Sequence, residues 1–422
     1  MTPAAHPPRA AIADIAGHLP EQVLTNDVLA QLYPDWPAEK ILAKTGIRER
    51  RIAAPRETAA DLAYEAARKL FAQGAVGADQ VDFVILCTQA PDYVLPTSAC
   101  MLQHRLGIPT HAGALDVNLG CSGYVYGLSL AKGLVETGAA RCVLLLTADT
   151  YSKYLHPLDK SVRTLFGDGA SATAVIAEHG ELERIGPFVF GTDGRGAPNL
   201  IVKAGLFREP KSADSAREHE DASGNVRTDE HLYMNGAEVM AFSLAEVPRA
   251  ADRLLALAGE PRENIDCFVL HQANRFMLDA LRKKMKIPEH KFPRADGALR
   301  QYRLVDAAAR ARDDAGKRRA RARHASDAAG IRRRLLVGRL PRELLEGTVM
   351  NAFYEGLAEI FEIDASEVTP ALALGEHNWD SLAIVSTIAL ADDCFGVLLN
   401  GQALGNCKTV ADIDALVAAQ KG

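Results

Sequence analysis

The chain has 422 residues, 48% of them hydrophobic, and a formal net charge of −6. That is enough apolar material for about two or three cores, and the mild acidity removes any general electrostatic argument for nucleic-acid binding. No apolar run approaches the ~18 residues that cross a bilayer, and the seven cysteines show neither CxxC pairing nor framework spacing, which without a leader-like N-terminus fits free thiols in a reducing cytoplasm.

In chain order, the run Val-Asp-Phe-Val-Ile-Leu at 81–86 predicts a buried strand ending at Cys87. The apolar stretch 114–120 predicts a second strand, followed by Cys121 and then a helix over 122–135 with apolar residues at helical spacing. A cysteine at a strand–turn–helix junction feels the positive end of the helix dipole, which favours thiolate over thiol. Gly120, Ser122 and Gly123 leave room for a carbonyl to approach it. Cys142 opens another strand, and Cys267 lies in a third, Asp-Cys-Phe-Val-Leu at 266–270. Cys87, Cys142 and Cys267 read as small core hydrophobes, so Cys121 is the candidate nucleophile. His271 follows the strand at 268–270 and precedes an amphipathic helix over 275–285 with Phe276, Leu278, Leu281 and Met285 inward. Alone it reads as a structural hydrogen-bonder; beside a helix-capped thiol it becomes a candidate acid, base or oxyanion donor.

The composition changes at 294–349, which holds 15 Lys/Arg against 7 Asp/Glu, with Tyr302 its only aromatic residue. A basic patch for RNA or an acidic partner is one reading, but the interleaved aromatics of a single-strand binder are missing. From Met350 the balance reverses to eleven Asp/Glu and two Lys, with helical apolar spacing over 350–361, a second helix after Asp380-Ser381-Leu382, and a last one over 409–417 with Thr409 as its cap.

Five segments resemble β-ketoacyl-(acyl-carrier-protein) synthase III. They are Pro-Thr-Ser-Ala-Cys-Met-Leu-Gln-His-Arg-Leu-Gly at 96–107, Asp-Val-Asn-Leu-Gly-Cys-Ser-Gly at 116–123, Leu-Phe-Gly-Asp-Gly-Ala at 165–170, Leu-Tyr-Met-Asn-Gly at 232–236 and His-Gln-Ala-Asn at 271–274. The likeness runs from about residue 11 to residue 293. It implies an α/β thiolase fold of two αβαβα halves, normally a homodimer, here over 1–180 and an incomplete 181–293. It also implies a primer acyl group on Cys121, taken from acyl-CoA or an acyl-carrier thioester. A malonyl-carrier thioester then decarboxylates, with the enolate oxygen held by His271 and by an asparagine of a Gly-Asn-Thr motif. No metal is implied. Near the entrance, the family's tryptophan and arginine are replaced by Lys40 and Lys44; with Arg48 and Arg50 these offer phosphate contacts but no adenine stack.

The Gly-Asn-Thr motif is absent, and the likeness stops near residue 293. Read from the second base of each codon, residues 300–310 can become Gly-Asn-Thr-Val-Ser-Ser-Thr-Leu-Pro-Leu-Ala. Residues 331–339 can likewise become Phe-Gly-Val-Gly-Tyr-Ser-Trp-Gly-Gly, both in keeping with the family. The codons of Met350-Asn351 then necessarily contain TGA in the shifted frame. The tract 294–349 is thus read as out-of-frame, either disordered or weakly helical, joining a synthase to an overlapping downstream product.

Residues 350–422 resemble an acyl carrier protein, a small all-α four-helix domain. Asp380-Ser381-Leu382 matches its attachment motif, which implies covalent 4′-phosphopantetheine on Ser381, added by a phosphopantetheinyl transferase. By itself a serine beside an aspartate is ordinarily a helix cap. Three readings stand: a carbon–carbon-bond-forming acyltransferase of fatty-acid or related acyl or polyketide synthesis, served by its own or a free carrier; a defective fusion that keeps only carrier function; and a hydroxymethylglutaryl-type synthase, which His-Gln-Ala-Asn disfavours.

Overall fold

In a computed structural model, residues 7–294, 342–377 and 379–421 are described. Cα packing divides them into two units, one of residues 7–190, 253–275 and 290–294, the other of 191–252, 276–289 and the C-terminal residues.

The first unit is built on a five-stranded sheet. Its strands are β1 (Pro8–His18), β2 (Phe83–Cys87), β3 (Gly113–Val117), β4 (Cys142–Asp149) and β5 (Gly169–His179), in the order β1-β5-β4-β2-β3. Strand β2 runs parallel to both β3 and β4, while β5 is antiparallel to β4 and β1. The strands are apolar on both faces because helices cover both. Val84, Leu86, Leu144 and Leu146 face α1 (Ala59–Ala72) through Ala63, Ala66, Ala67 and Leu70. The alternating Ile85, Val143, Leu145 and Val175 pack with Ala131 and Val135 of α3 (Gly123–Glu136), on the opposite face. A capping box, Thr58 with Asp61, starts α1; α2 (Ser98–Arg105) starts where Asp116 accepts the Ser98 and Ala99 N–H groups at 2.7 and 2.8 Å.

The expected strand–turn–helix around Cys121 is present as β3, a turn, and α3. Cys87 and Cys142 are buried strand residues, as read from sequence. Two expectations are corrected. The strand expected over 268–270 does not form, and Cys267 is only partly buried in irregular chain. A strand needs neighbours for its backbone groups, and among the described residues 266–270 has no ladder, only a bond from Phe268 N–H to Lys291 C=O at 2.8 Å. Arg50 is not a free phosphate ligand: it is 2% exposed and its guanidinium donates to Asn26 Oδ1 and Thr164 C=O.

In the second unit, Leu200–Val202 pairs with Leu232–Met234, and His219–Glu220 with Val226–Arg227; no larger sheet occurs there among the described residues. The long helix α4 (Gly236–Ala258) spans both units and keeps apolar side chains in water: Phe242 is 53% and Leu257 60% exposed. Helix α5 (Arg275–Lys284) buries Leu278 and Leu281, as its spacing predicts, with Met285 buried just beyond and Phe276 half-buried.

Four helices follow: α6 (Arg342–Phe361), α7 (Ser381–Phe395), α8 (Gly401–Gly405) and α9 (Val410–Lys421). Helix α6 begins ahead of Met350, where the sequence reading opened it. Their shared core holds Phe353, Leu357, Phe361, Ile388, Leu404, Ile413 and Val417. Gly356 lets α6 meet Leu390 of α7 without a Cβ between them. The expected disorder or weak helix of the basic tract lies outside the described residues over 295–341.

Candidate active site

The parallel strands β2, β3 and β4 end on the same edge of the sheet, the usual place for a site in such folds. Beyond β3 the chain turns through Gly120 and Cys121, and Ser122 takes the N-cap position of α3 without a side-chain capping bond. Gly123 is required there, since a Cβ would collide with the Cys87 sulfur at the end of β2. Helix α3 therefore sits hard against the strands, and the turn is aimed outward.

The structure brings Cys121 and His271 together. The Cys121 thiol and His271 imidazole share a hydrogen bond. The positive imidazole lowers the Cys121 thiol from its ordinary value; burial works against this but does not prevail. Burial opposes a charged His271, yet the sulfur's charge and hydrogen bond outweigh it and raise the imidazole. Each group thus favours the charged form of the other, which shifts the pair toward thiolate and imidazolium. Both side chains are crowded by protein and still reached by solvent.

A lowered thiol keeps its thiolate at pH values where an ordinary cysteine is protonated. Iodoacetamide labelling of Cys121, followed peptide by peptide, should persist to lower pH than for free cysteine. His271→Ala should move that profile upward by about 1 pH unit or more. An unmoved profile would show that the imidazole does not set the thiol.

Around the pair, Gln272 is buried with its amide donating to Leu270 C=O at 2.9 Å. Asp168, in the 165–170 motif, is fully buried and accepts from Ala53 N–H at 2.7 Å and Ser152 N–H at 2.9 Å, so it braces the loops. Lys44 lies over the Trp36 ring at 5.8 Å, and Arg48 is exposed. Sequence reading missed Gln89, Asp149 and Tyr151. Asp149 ends β4, burial raises its carboxyl to about 7, and its charge opposes the Cys121 thiolate. Their place just past the ends of parallel strands was the signal available.

Ser381 opens α7, and Asp380 before it accepts the Ala383 N–H at 2.9 Å, a helix-capping contact. The Ser381 side chain itself lies outside what is described. No His/Cys/Asp/Glu group suited to a metal occurs among the described residues, and none of their helices is long and apolar enough to cross a membrane.

Residues 115–194 match the 3-oxoacyl-(acyl-carrier-protein) synthase III family model, and 255–295 match its C-terminal model. The beta-ketoacyl-(acyl-carrier-protein) synthase III of Caldanaerobacter subterraneus is 36% identical over 67% of this chain and 82% of its own length. That of Chlamydia caviae is 38% identical over 67% and 81%. A crystal structure of a 3-oxoacyl-(acyl-carrier-protein) synthase III is 92% identical, covering 73% of this chain and 92% of that one, with a TM-score of 0.70. The enzyme from Burkholderia xenovorans is 35% identical over 71% and 85%, with a TM-score of 0.63.

Proposed function

Because this chain belongs to the β-ketoacyl-(acyl-carrier-protein) synthase III family, whose members are condensing acyltransferases of fatty-acid biosynthesis, we propose that Cys121 is its acyl-accepting nucleophile and His271 its partner. The observation that carries this reading is the imidazole-held thiol at the mouth of the β3–α3 turn. The Cys121 thiolate attacks the primer thioester carbonyl, and the carbon–sulfur bond to the leaving thiol breaks as that thiol takes a proton from the imidazolium. Acyl-Cys121 results. The malonyl-carrier then loses CO2, leaving an enolate whose oxygen His271 N–H can hold. The enolate carbon attacks the acyl carbonyl, the Cys121 thiolate departs, and a 3-oxoacyl-carrier is released. Incubation with labelled malonyl-carrier and acyl donors tests this; absence of both product and an acyl-Cys121 adduct rejects it.

The C-terminal module is read as an acyl carrier with phosphopantetheine on Ser381. Its four-helix core and acidity support this. So does the ion pair between Asp392 of α7 and Lys284 of α5 at 2.6 Å, with the carboxylate nearly buried. Asp393 and Lys283, 3.6 Å apart and exposed, add little. A phosphopantetheinyl transferase with coenzyme A should add one phosphopantetheine mass to the chain and none to Ser381→Ala. Modification surviving in that variant would reject Ser381 as the attachment point.

A chain that loads its carrier but forms no acyl-Cys121 would be the defective fusion of the alternative reading. The exposed Phe242 and Leu257, and the irregular chain at 268–270, are the features that alternative draws on. A homodimer through the synthase-like part and a cytoplasmic setting complete the proposal; sedimentation of the full chain tests the former.

A further inference from the structure

Gln89 stands immediately behind the turn that carries Cys121, and the structure holds it from three directions. Its backbone N–H donates to Asp149 Oδ1 at 2.7 Å, and its C=O accepts the Tyr154 hydroxyl at 2.8 Å. Its side-chain Oε1 accepts the Tyr151 hydroxyl. Asp149 is tied in turn to the Thr88 hydroxyl at 3.2 Å. Tyr151 stacks on Phe166, with ring centroids 5.2 Å apart and planes 10° from parallel, and meets Tyr154 edge-on.

The Gly120 backbone lies directly on the cluster. A Cβ on Gly120 would sit 2.5 Å from Gln89 Oε1 and 3.2 Å from the Tyr151 hydroxyl. The residue before the nucleophile is thus glycine because the amide and phenol occupy the space a side chain would need. We propose that Gln89 is a positioning residue for the Cys121–His271 pair, its side-chain amide, clamped by Tyr151, forming the wall against which the Gly120–Cys121 backbone is set. This rests on Cys121 being the nucleophile. The thiol–imidazole hydrogen bond stabilises the thiolate only at short range and good angle, so a turn free to drift loses both nucleophilicity and aim.

Gln89→Met and Tyr151→Phe each remove the shared hydrogen bond while keeping length or ring. Iodoacetamide labelling of Cys121 in the full chain, read by peptide mass spectrometry against pH, is the measurement. Each variant should raise the labelling midpoint by about 0.5–1 pH unit and slow labelling at neutral pH several-fold. The double variant should move no further than either single, since one bond is lost in all three. A residue that merely fills space would lower the melting temperature and leave the midpoint alone. An unmoved midpoint in either folded variant, or additive shifts, overturns the proposal. If Gln89→Met does not fold, Tyr151→Phe decides. Wild-type Cys121 labelling no faster than the exposed Cys100 would instead defeat the nucleophile reading itself.

Discussion

Cys121→Ala should leave no acyl-enzyme and no condensation above background, a loss on the order of 10⁶ in kcat where a covalent nucleophile carries the reaction. The cause is chemical, because Cys121 is the thiol that shares a hydrogen bond with His271. Cys87 and Cys142 are buried, and burial raises them to about 12 and about 11, so they stay protonated and out of reach. Cys121→Ser should fail nearly as completely, since an imidazole that holds a thiolate cannot ionise a hydroxyl to the same degree. Cys121 is solvent-accessible and small, so neither change opens a core cavity and both variants should remain folded. Intact-mass measurement after incubation with acyl donors, together with a melting curve, checks both statements. An acyl adduct that persists in folded Cys121→Ala would move the chemistry to another residue.

Restoring the alternative reading frame across codons 291–300 should raise condensation by about 10²–10³ and sharpen thermal unfolding. The rate gain follows from returning the Gly-Asn-Thr asparagine, a second donor for the enolate oxygen; loss of one such donor costs about that factor elsewhere. The stability gain follows from apolar burial. Phe242 and Leu257 project from α4 into solvent, and each large side chain buried contributes about 1.5–3 kcal/mol. Residues 268–270, now irregular, should become a strand once neighbours exist, and their amides should then resist hydrogen exchange. The restored product ends at the TGA within Met350-Asn351, which leaves residues 350–422 to a separate chain. Turnover with labelled malonyl-carrier, calorimetry and exchange at 268–270 check these outcomes. A restored chain no faster and no more stable than this one would sink the frame argument.

Cys121 was legible as a candidate because its signal is local. A strand, glycines on both sides and a helix start lie within ten or so residues of Cys121, and local geometry follows local sequence. His271 was legible only as half of a pair, from its place before α5. The strand assigned just ahead of it was not, because 268–270 has the right residues but no partners for its backbone. Arg50 read as one of four basic residues near an entrance, yet Asn26 and Thr164, both distant in sequence, draw it inside. Nothing local distinguishes it from the exposed Arg48.

By itself the sequence determined the chemistry on offer: a thiol at a helix start, an imidazole before a helix, an acidic helical module around Asp380-Ser381, and the abrupt change of composition at residue 294. Each depends on neighbours along the chain. Only the tertiary structure decided which groups meet. It set the imidazole on the thiol across some 150 positions, placed Gln89 and Tyr151 behind Gly120, and paired Lys284 with Asp392. Those meetings arise where strand ends converge and helices pack, distances that no spacing rule along the chain encodes.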